Sequence, residues 1–349
     1  MADNPRVKKR AAVLPKIVLE EAYLHPDDAR ERLLRPDLLA GIAGSAGIGE
    51  GFYRAVLERL GEFDEVRLAS MNENGIEHAI LSLTAPGIQA IADPIEATSQ
   101  ARRQNDFLAE QIARNPDRYS GFAAVALQDP DAAAKELERT VHEFGFKGVL
   151  INGYTDTADG RTLYLDDAGL GVFWEAVAGL DVPVYLHPRP PMPSERGIYA
   201  GHPELLGATW GFGVETATHL LRIIFSGLLD RHPGVKLLVG HLGEGLPALL
   251  WRTQYNFDLN PFDKKIDKTL PEYFADNIWI TTSGNFSDQA LTSAILAIGA
   301  DRILFSVDYP YADPALAARW MENTPISIND RRKIAHGNAE QLFGLNASR

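Results

Sequence analysis

The chain has 349 residues, and its 34 Lys and Arg against 47 Asp and Glu give a formal net charge of −13 with histidine neutral. An acidic balance of this size argues against a nucleic-acid partner, because phosphate backbones are bound mainly by clustered Lys and Arg. The chain contains no cysteine, which excludes disulfides, thiolate catalysis and Cys-ligated metals and leaves His, Asp and Glu as candidate metal ligands.

Eight short runs of apolar and β-branched residues recur along the chain, and each is followed by a segment whose apolar residues have helical spacing. Such continuous runs are typical of strands buried on both faces, and strands separated by helices run parallel through right-handed crossovers. Eight such units form a (β/α)8 TIM barrel, so the sequence predicts an α/β protein of this class, with an open doubly wound sheet as the alternative. In chain order the predicted strands are 16–23, 78–84, 119–127, 148–152, 183–188, 236–242, 278–283 and 303–310.

Two connections are long enough to cover the carboxyl-terminal face of this barrel. Residues 24–75 are predicted to form a helical insertion with a pair of helices, and residues 189–214 a lid or an interface loop. No internal repeat or linker separates the segments, so we expect a single domain over residues 1–349. The chain has no stretch of about 18 consecutive apolar residues and no apolar segment after its basic N-terminus, which predicts a cytoplasmic protein without membrane association.

Polar residues end several of the predicted strands. Glu20, His187 and Asp308 lie at the ends of the first, fifth and eighth strands. The carboxyl ends of barrel strands converge on the face that carries the active site in TIM-barrel enzymes, so we expect these side chains to lie close together. One imidazole and two carboxylates suit a divalent cation such as Mn²⁺, Zn²⁺ or Fe²⁺. Each residue alone has an ordinary explanation, such as a helix cap or a core histidine, and it is their joint position that predicts a metal site.

Segments spread over nearly the whole chain resemble the nonoxidative hydroxybenzoate decarboxylases of the amidohydrolase superfamily. Members of this family that act on 2,6-dihydroxybenzoate (gamma-resorcylate) are the most similar, and those that act on 2,3-dihydroxybenzoate or 5-carboxyvanillate are near relatives. The segments that carry the resemblance are LEEAY (19–23), LTAPGIQ (83–89), NPDRYSGFAAVALQDP (115–130), GFKGVLING (145–153), VPVYLHPR (182–189), LLDRHPGVKL (228–237), GHLGEGLP (240–247), NIWITTSGNFS (277–287) and DRILFSVDYPY (301–311).

This resemblance implies a barrel of the metal-dependent hydrolase type with one divalent cation per chain, Mn²⁺ in preference to Zn²⁺, and no organic cofactor. The implied ligands are Glu20, His187 and Asp308. Metallohydrolases of the superfamily, and some of its decarboxylases, carry a further ligand histidine two residues after the first metal ligand. In this chain that position, two residues after Glu20, is Ala22. Residues two apart on a strand face the same way. The cation therefore keeps at most three of these protein ligands, which leaves room for a chelating substrate.

The resemblance also implies roles for residues around the cation. His241 corresponds to the active-site histidine of the GHxGE motif, and Glu244 to its orienting carboxylate. Arg252 is implied to contact the acidic group of the substrate, and Asn152 and Tyr311 to line the pocket. The expected ligand is a small aromatic carboxylic acid, and the expected assembly is a homodimer or a homotetramer.

The implied reaction is the reversible decarboxylation of an ortho-hydroxylated benzoate, such as 2,6-dihydroxybenzoate to resorcinol and CO2. Loss of CO2 puts an electron pair onto the ring, so the carbon that carries the carboxylate must first receive a proton. We expect Asp308 to donate this proton, and we expect His241, supported by Glu244, to relay protons.

Two other functions stay open at this stage. A metal-dependent hydrolase or lactonase on the same barrel would need an activated water where the phenol binds. A catalytically silent barrel would serve as an oligomeric binding or scaffold protein and would carry no metal. Two residues also have open roles: Arg189 either faces the site or forms a salt bridge, and His219 either packs within its helix or enters the pocket.

Overall fold

The computed structural model describes residues 14–260, 262–263 and 266–345. Within these residues, eight parallel strands follow one another in the order of the sequence. They are β1 (Lys16–Tyr23), β2 (Ile76–Leu83), β3 (Tyr119–Gly121), β4 (Val149–Asn152), β5 (Val184–His187), β6 (Leu237–Val239), β7 (Ile278–Thr281) and β8 (Ile303–Leu304). A short antiparallel hairpin of Thr155–Asp156 and Thr162–Leu163 follows β4.

The strands close into a ring. β1, β2 and β3 pair in sequence, and so do β4 to β8. A parallel bridge between Ala123 and Val149 joins the two ladders on one side. On the other side the Ala22 N–H donates to the carbonyl of Tyr309 at 2.7 Å. The predicted (β/α)8 barrel is thereby confirmed, and the open doubly wound sheet is wrong.

The region between β1 and β2 contains more helices than the sequence suggested. Four helices lie there instead of a pair: α1 (Pro26–Leu34), α2 (Pro36–Ser45), α3 (Glu50–Leu60) and α4 (Glu65–Glu73). Proline has no N–H and favours the first position of a helix, so Pro36 ends one helix and begins the next. The remaining helices are α5 (Pro94–Arg114), α6 (Pro130–Phe144), α7 (Gly171–Leu180), α8 (Gly211–Phe225), α9 (Leu228–Arg231), α10 (Leu246–Leu259), α11 (Leu270–Asp276), α12 (Asp288–Ile298), α13 (Pro314–Asn323), α14 (Ile328–Arg332) and α15 (Asn338–Phe343). No helix in the described ranges is both long and apolar enough to span a membrane.

The barrel interior is filled by side chains rather than being a pore. Apolar residues from the strands form one buried cluster with α15, which lies against the barrel interior through Phe343. The ring of Phe122 lies 5.9 Å from the ring of Phe343 and 5.9 Å from the ring of Tyr185. These three rings form an aromatic column that ends at the polar layer where the candidate ligands lie.

An irregularity in β1 positions one of those ligands. Val18 pairs with Ala79 and Glu21 with Leu81, so three steps on β1 match two steps on β2. Successive residues of a regular strand point to opposite faces, and a bulge breaks this alternation. Leu19 therefore lies in the interior cluster, and Glu20 also reaches inward to side chains of β5 and β7.

Candidate active site

The three predicted metal ligands meet at the carboxyl end of the barrel. Glu20, His187 and Asp308 each offer one ligand atom, and these atoms all lie within 4.8 Å of one another. Nε2 of His187 lies 3.4 Å from Oε1 of Glu20. The convergence follows from the fold, because strands one, five and eight deliver their ends to one face.

The donor atoms of this cluster fit a divalent cation. Oε1 of Glu20 is buried and has no hydrogen-bond partner among the described residues. Nδ1 of His187 lies 2.9 Å from the carbonyl of Pro188 and can donate to it, which leaves the lone pair of Nε2 directed at Glu20. A buried carboxylate oxygen without a partner is costly. A cation between Glu20, His187 and Asp308 would remove that cost.

The carboxyl groups of the cluster have perturbed acidities. Burial raises the pKa of Glu20, but the His241 and His187 imidazoles and the hydroxyls of Ser283 and Tyr185 outweigh it, so that this pKa is lowered. Burial and the nearby Glu20 carboxylate raise the pKa of Asp308 well above its usual value. Of the two carboxyl groups, Asp308 is the one suited to carry a proton.

His241 stands over the cluster on an unusual loop. The five residues from His241 to Gly245 all have positive φ, between 53° and 76°. This left-handed loop is held by the Leu242 N–H, which donates to the carbonyl of Thr281 at 2.7 Å. It directs Nε2 of His241 to within 3.7 Å of Glu20 Oε1 and 4.0 Å of Asp308 Oδ2. Non-glycine residues in this conformation are strained and concentrate at functional sites.

Glu244 binds the other ring nitrogen of this histidine. Nδ1 of His241 donates to Oε1 of Glu244 at 2.6 Å. Burial alone would lower the pKa of His241, but the carboxylates of Glu244 and Glu20 outweigh it and raise this pKa to about 10. The two carboxylates therefore favour the charged form of this imidazole.

Comparison with known proteins identifies the family. The sequence model of the amidohydrolase family matches residues 24–345, which is most of the chain. The chain belongs to the amidohydrolase family. Among its relatives is the gamma-resorcylate decarboxylase of Polaromonas sp. (strain JS666), which is 52% identical over 294 residues and is aligned over 82% of this chain and 89% of the relative.

Solved structures place this amidohydrolase near the same enzymes. A crystal structure of 2,6-dihydroxybenzoate decarboxylase in complex with 2,6-dihydroxybenzoate has a TM-score of 0.88 and 45% identity, and the match covers 95% of this chain and 99% of that one. A dihydroxybenzoic acid decarboxylase from Polaromonas sp. JS666, with bound manganese and the inhibitor 2-nitroresorcinol, has a TM-score of 0.88 and 46% identity, covering 95% and 97%. The resemblance to nonoxidative decarboxylases that the sequence showed is confirmed.

The predicted substrate contacts of the amidohydrolase lie in different surroundings. Asn152 is buried at the end of β4, and its Oδ1 has no partner in the described part of the chain. The hydroxyl of Tyr311 lies 2.7 Å from Oγ1 of Thr84. Arg252 is exposed on α10 and is not part of the buried cluster in the single chain. The binding roles of Asn152, Tyr311 and Arg252 stay predictions.

The two residues with open roles have structural partners. The guanidinium of Arg189 forms an ion pair with Asp156 at 2.5 Å and donates to the carbonyl of Tyr154 at 2.7 Å. His219 is fully buried, and its Nε2 accepts a hydrogen bond from the Leu165 N–H at 2.9 Å. The salt-bridge interpretation of Arg189 and the packing interpretation of His219 therefore describe the contacts of both residues.

Sequence analysis missed the hydroxyl groups behind Glu20. Tyr185, Thr281 and Ser283, which we call the hydroxyl cluster, all contact Oε2 of this carboxylate. The available signal was the two-residue spacing along strands, because Tyr185 precedes His187 by two and Thr281 precedes Ser283 by two.

Proposed function

We propose that this amidohydrolase is a metal-dependent carboxy-lyase that releases CO2 from an ortho-hydroxylated benzoate, with 2,6-dihydroxybenzoate as substrate and resorcinol as product. The observation that carries the proposal is the buried cluster of Glu20, His187 and Asp308, with ligand atoms within 4.8 Å of one another and with the His241 imidazole beside them. The identity to gamma-resorcylate decarboxylases supports the choice of substrate.

Glu20, His187 and Asp308 would hold the cation, and Mn²⁺ is favoured over Zn²⁺ because a similar solved structure contains manganese. A divalent cation supplies positive charge that stabilises the phenolate and carboxylate oxygens of a chelating substrate. Ala22 occupies the position where a further histidine ligand would stand, so the protein leaves coordination positions for those oxygens. This argument predicts that a hydroxyl ortho to the carboxylate is required.

The protein groups account for the proton that the reaction consumes. Asp308 lies in the candidate cation cluster beside the bound substrate, where its carboxyl would donate a proton to the ring carbon that bears the carboxylate. The bond from this carbon to the carboxylate then breaks, its electron pair returns to the ring, and CO2 leaves. Nε2 of His241 lies 4.0 Å from Oδ2 of Asp308, close enough for the imidazole to return a proton to Asp308. Glu244 keeps the imidazole charged and oriented.

Measurement of CO2 release from 2,6-dihydroxybenzoate in the presence of Mn²⁺ tests the proposal directly. Benzoate and 4-hydroxybenzoate, which lack the ortho hydroxyl, are the matched negative substrates. Release of a carboxylic acid from an ester or lactone without CO2 from any hydroxybenzoate would favour a hydrolase instead. Equal turnover of 4-hydroxybenzoate would contradict the chelation argument while leaving the decarboxylase assignment intact.

We also propose a homo-oligomer. Helix α10 exposes Leu249, Trp251 and Tyr255, and the last two rings stack at 5.0 Å with an angle of 7°. Clustered aromatic and apolar side chains on a surface are typical of subunit interfaces. Sedimentation analysis of the wild type and of Trp251→Ala would measure the assembly and its dependence on this helix.

A further inference from the structure

The two carboxylate oxygens of Glu20 have opposite surroundings. Oε2 accepts hydrogen bonds from the hydroxyls of Tyr185 and Ser283, and Oγ1 of Thr281 lies 3.3 Å from the same atom. Oε1 has no hydrogen-bond partner in the described ranges and faces the imidazoles of His187 and His241. The hydroxyl cluster is therefore arranged around one oxygen only.

Proton counting fixes the direction of these hydrogen bonds. An ionised carboxylate can only accept, and each hydroxyl has a single proton to donate. The His241 N–H donates to Oγ of Ser283 at 3.1 Å, so the hydroxyl of Ser283 is free to donate its own proton to Glu20. Oγ1 of Thr281 lies 2.8 Å from the Tyr185 hydroxyl and 2.9 Å from the Ser283 hydroxyl, within hydrogen-bond distance of both. The chain of donors runs from the His241 amide through Ser283 to the carboxylate.

Burial limits which lone pairs of the Glu20 carboxylate are available. Tyr185, Thr281 and Ser283 are all 0% exposed, so water does not compete for their hydrogen bonds. A carboxylate oxygen has about two lone-pair positions, and the hydroxyl cluster occupies those of Oε2. The lone pairs of Oε1 are the ones left for a cation.

We propose that Tyr185 and Ser283 are positioning residues that limit Glu20 to a single metal-binding oxygen, and that Ser283 also couples this carboxylate to the loop that carries His241. The inference rests on the proposed metal-binding role of Glu20. It assigns different consequences to the two residues. The Tyr185 hydroxyl contacts Glu20 and Thr281, whereas Ser283 contacts both the carboxylate and the backbone of His241.

The expected effects follow from those contacts. Loss of an outer hydrogen bond to a metal ligand typically lowers metal affinity roughly 10- to 100-fold, and we expect this loss in both Tyr185→Phe and Ser283→Ala. Because the His241 N–H also loses its acceptor in Ser283→Ala, kcat at saturating Mn²⁺ should fall further in this variant than in Tyr185→Phe. A merely structural role would not separate affinity from kcat in this way.

Ser306 provides the matched control. It is a fully buried serine at the same end of the barrel, but its hydroxyl accepts from the Glu20 N–H at 2.8 Å and does not touch the Glu20 carboxylate. Ser306→Ala therefore removes the same atoms as Ser283→Ala. We expect its Mn²⁺ affinity to stay within about twofold of the wild type.

The experiment is a Mn²⁺ titration of the full chain, followed by electron paramagnetic resonance of free Mn²⁺, with kcat measured at saturating Mn²⁺ and circular dichroism to verify folding. Weaker binding in Tyr185→Phe and Ser283→Ala but not in Ser306→Ala supports the inference. Equal affinity in all four proteins, or an equal loss in all three variants, overturns it.

Two further outcomes are distinguishable. Absence of Mn²⁺ binding in the wild type itself overturns the proposed metal site, and the positioning role with it. If Ser283→Ala does not fold, Ser283→Cys fills the site with a thiol that weakens both hydrogen bonds, so the same comparison with Tyr185→Phe applies. An equal kcat in Tyr185→Phe and the folded Ser283 variant overturns the coupling to His241.

Discussion

Replacing Glu244 by Gln tests whether its carboxylate holds the proton on His241. Oε1 of Glu244 accepts from Nδ1 of His241 at 2.6 Å, and Gln keeps the length and an acceptor oxygen while removing the charge. Hydrogen bonds to charged groups contribute roughly 1.5–3 kcal/mol, against roughly 0.5–1.5 kcal/mol for ordinary ones, a difference of about 1 to 1.5 kcal/mol. The energy lost with the Glu244 charge is at most the Coulomb energy of two charges about 4 Å apart, which is about 4 kcal/mol near a protein surface. At about 1.4 kcal/mol per unit, the pKa of His241 should fall by about 1 to 3 units.

The sign of the stability effect follows from the same pKa. The folded pKa of about 10 lies above the ordinary value of 6.5, so the charged imidazole stabilises the fold fully below pH 6.5. This stabilisation is lost as the pH rises through about 10. In Glu244→Gln the pKa of His241 is lower by about 1 to 3 units, so this stabilisation should be lost at a pH that is lower by the same amount. The variant should therefore be most destabilised, relative to the wild type, near neutral pH, and this difference should disappear as the pH rises through about 10.

Proton NMR of the His241 ring in the metal-free protein measures the pKa, and thermal unfolding at neutral and alkaline pH measures the stability. Glu175→Gln is the control, because Glu175 is an exposed carboxylate on α7. A pKa of His241 that is the same in Glu244→Gln as in the wild type would refute the argument that Glu244 carries the shift.

Three further predictions concern the cation and the substrate. Elemental analysis should find about one divalent ion per chain, since the described residues contain one cluster of three candidate ligands. His187→Ala should lose this ion, and full retention would remove His187 from the site. An added Cβ at Gly240 would lie 2.6 Å from Oε2 of Glu20. Gly240→Ala should therefore bind Mn²⁺ at least roughly 10-fold more weakly in a titration. Unchanged affinity would show that the carboxylate can shift freely. Arg252→Ala should raise KM for 2,6-dihydroxybenzoate with a smaller effect on kcat in steady-state assays, the signature of lost uniform binding, whereas an unchanged KM would exclude a binding role.

The barrel could be predicted because its strands are continuous apolar runs separated by amphipathic segments. All eight predicted strands are present in the described residues, but six are shorter than predicted, the third and the eighth most of all. The run 119–127 forms a strand only over Tyr119–Gly121, and the run 303–310 only over Ile303–Leu304. Apolar composition reports burial, and these segments stay buried after their ladder pairing ends, so hydrophobicity overestimates strand length.

The candidate ligands could be predicted for a related reason. Glu20, His187 and Asp308 are polar residues that interrupt apolar runs at strand ends, and the topology alone brings strand ends together. The hydroxyl cluster could not be predicted in the same way. It depends on the register shift in β1 that turns Glu20 inward, and bulges leave no clear pattern in one sequence.

The aromatic column has a consequence for the far end of the molecule. Phe343 lies near the C-terminus, yet only Phe122 separates its ring from that of Tyr185, whose hydroxyl donates to Glu20. Truncation before α15 would remove the Phe343 ring that packs against Phe122. The resulting cavity would let Phe122, and then Tyr185, shift towards it. A deletion at the end of the barrel opposite the candidate site would thus lower the affinity for the cation. Tags or fusions at this terminus should therefore be attached beyond Phe343.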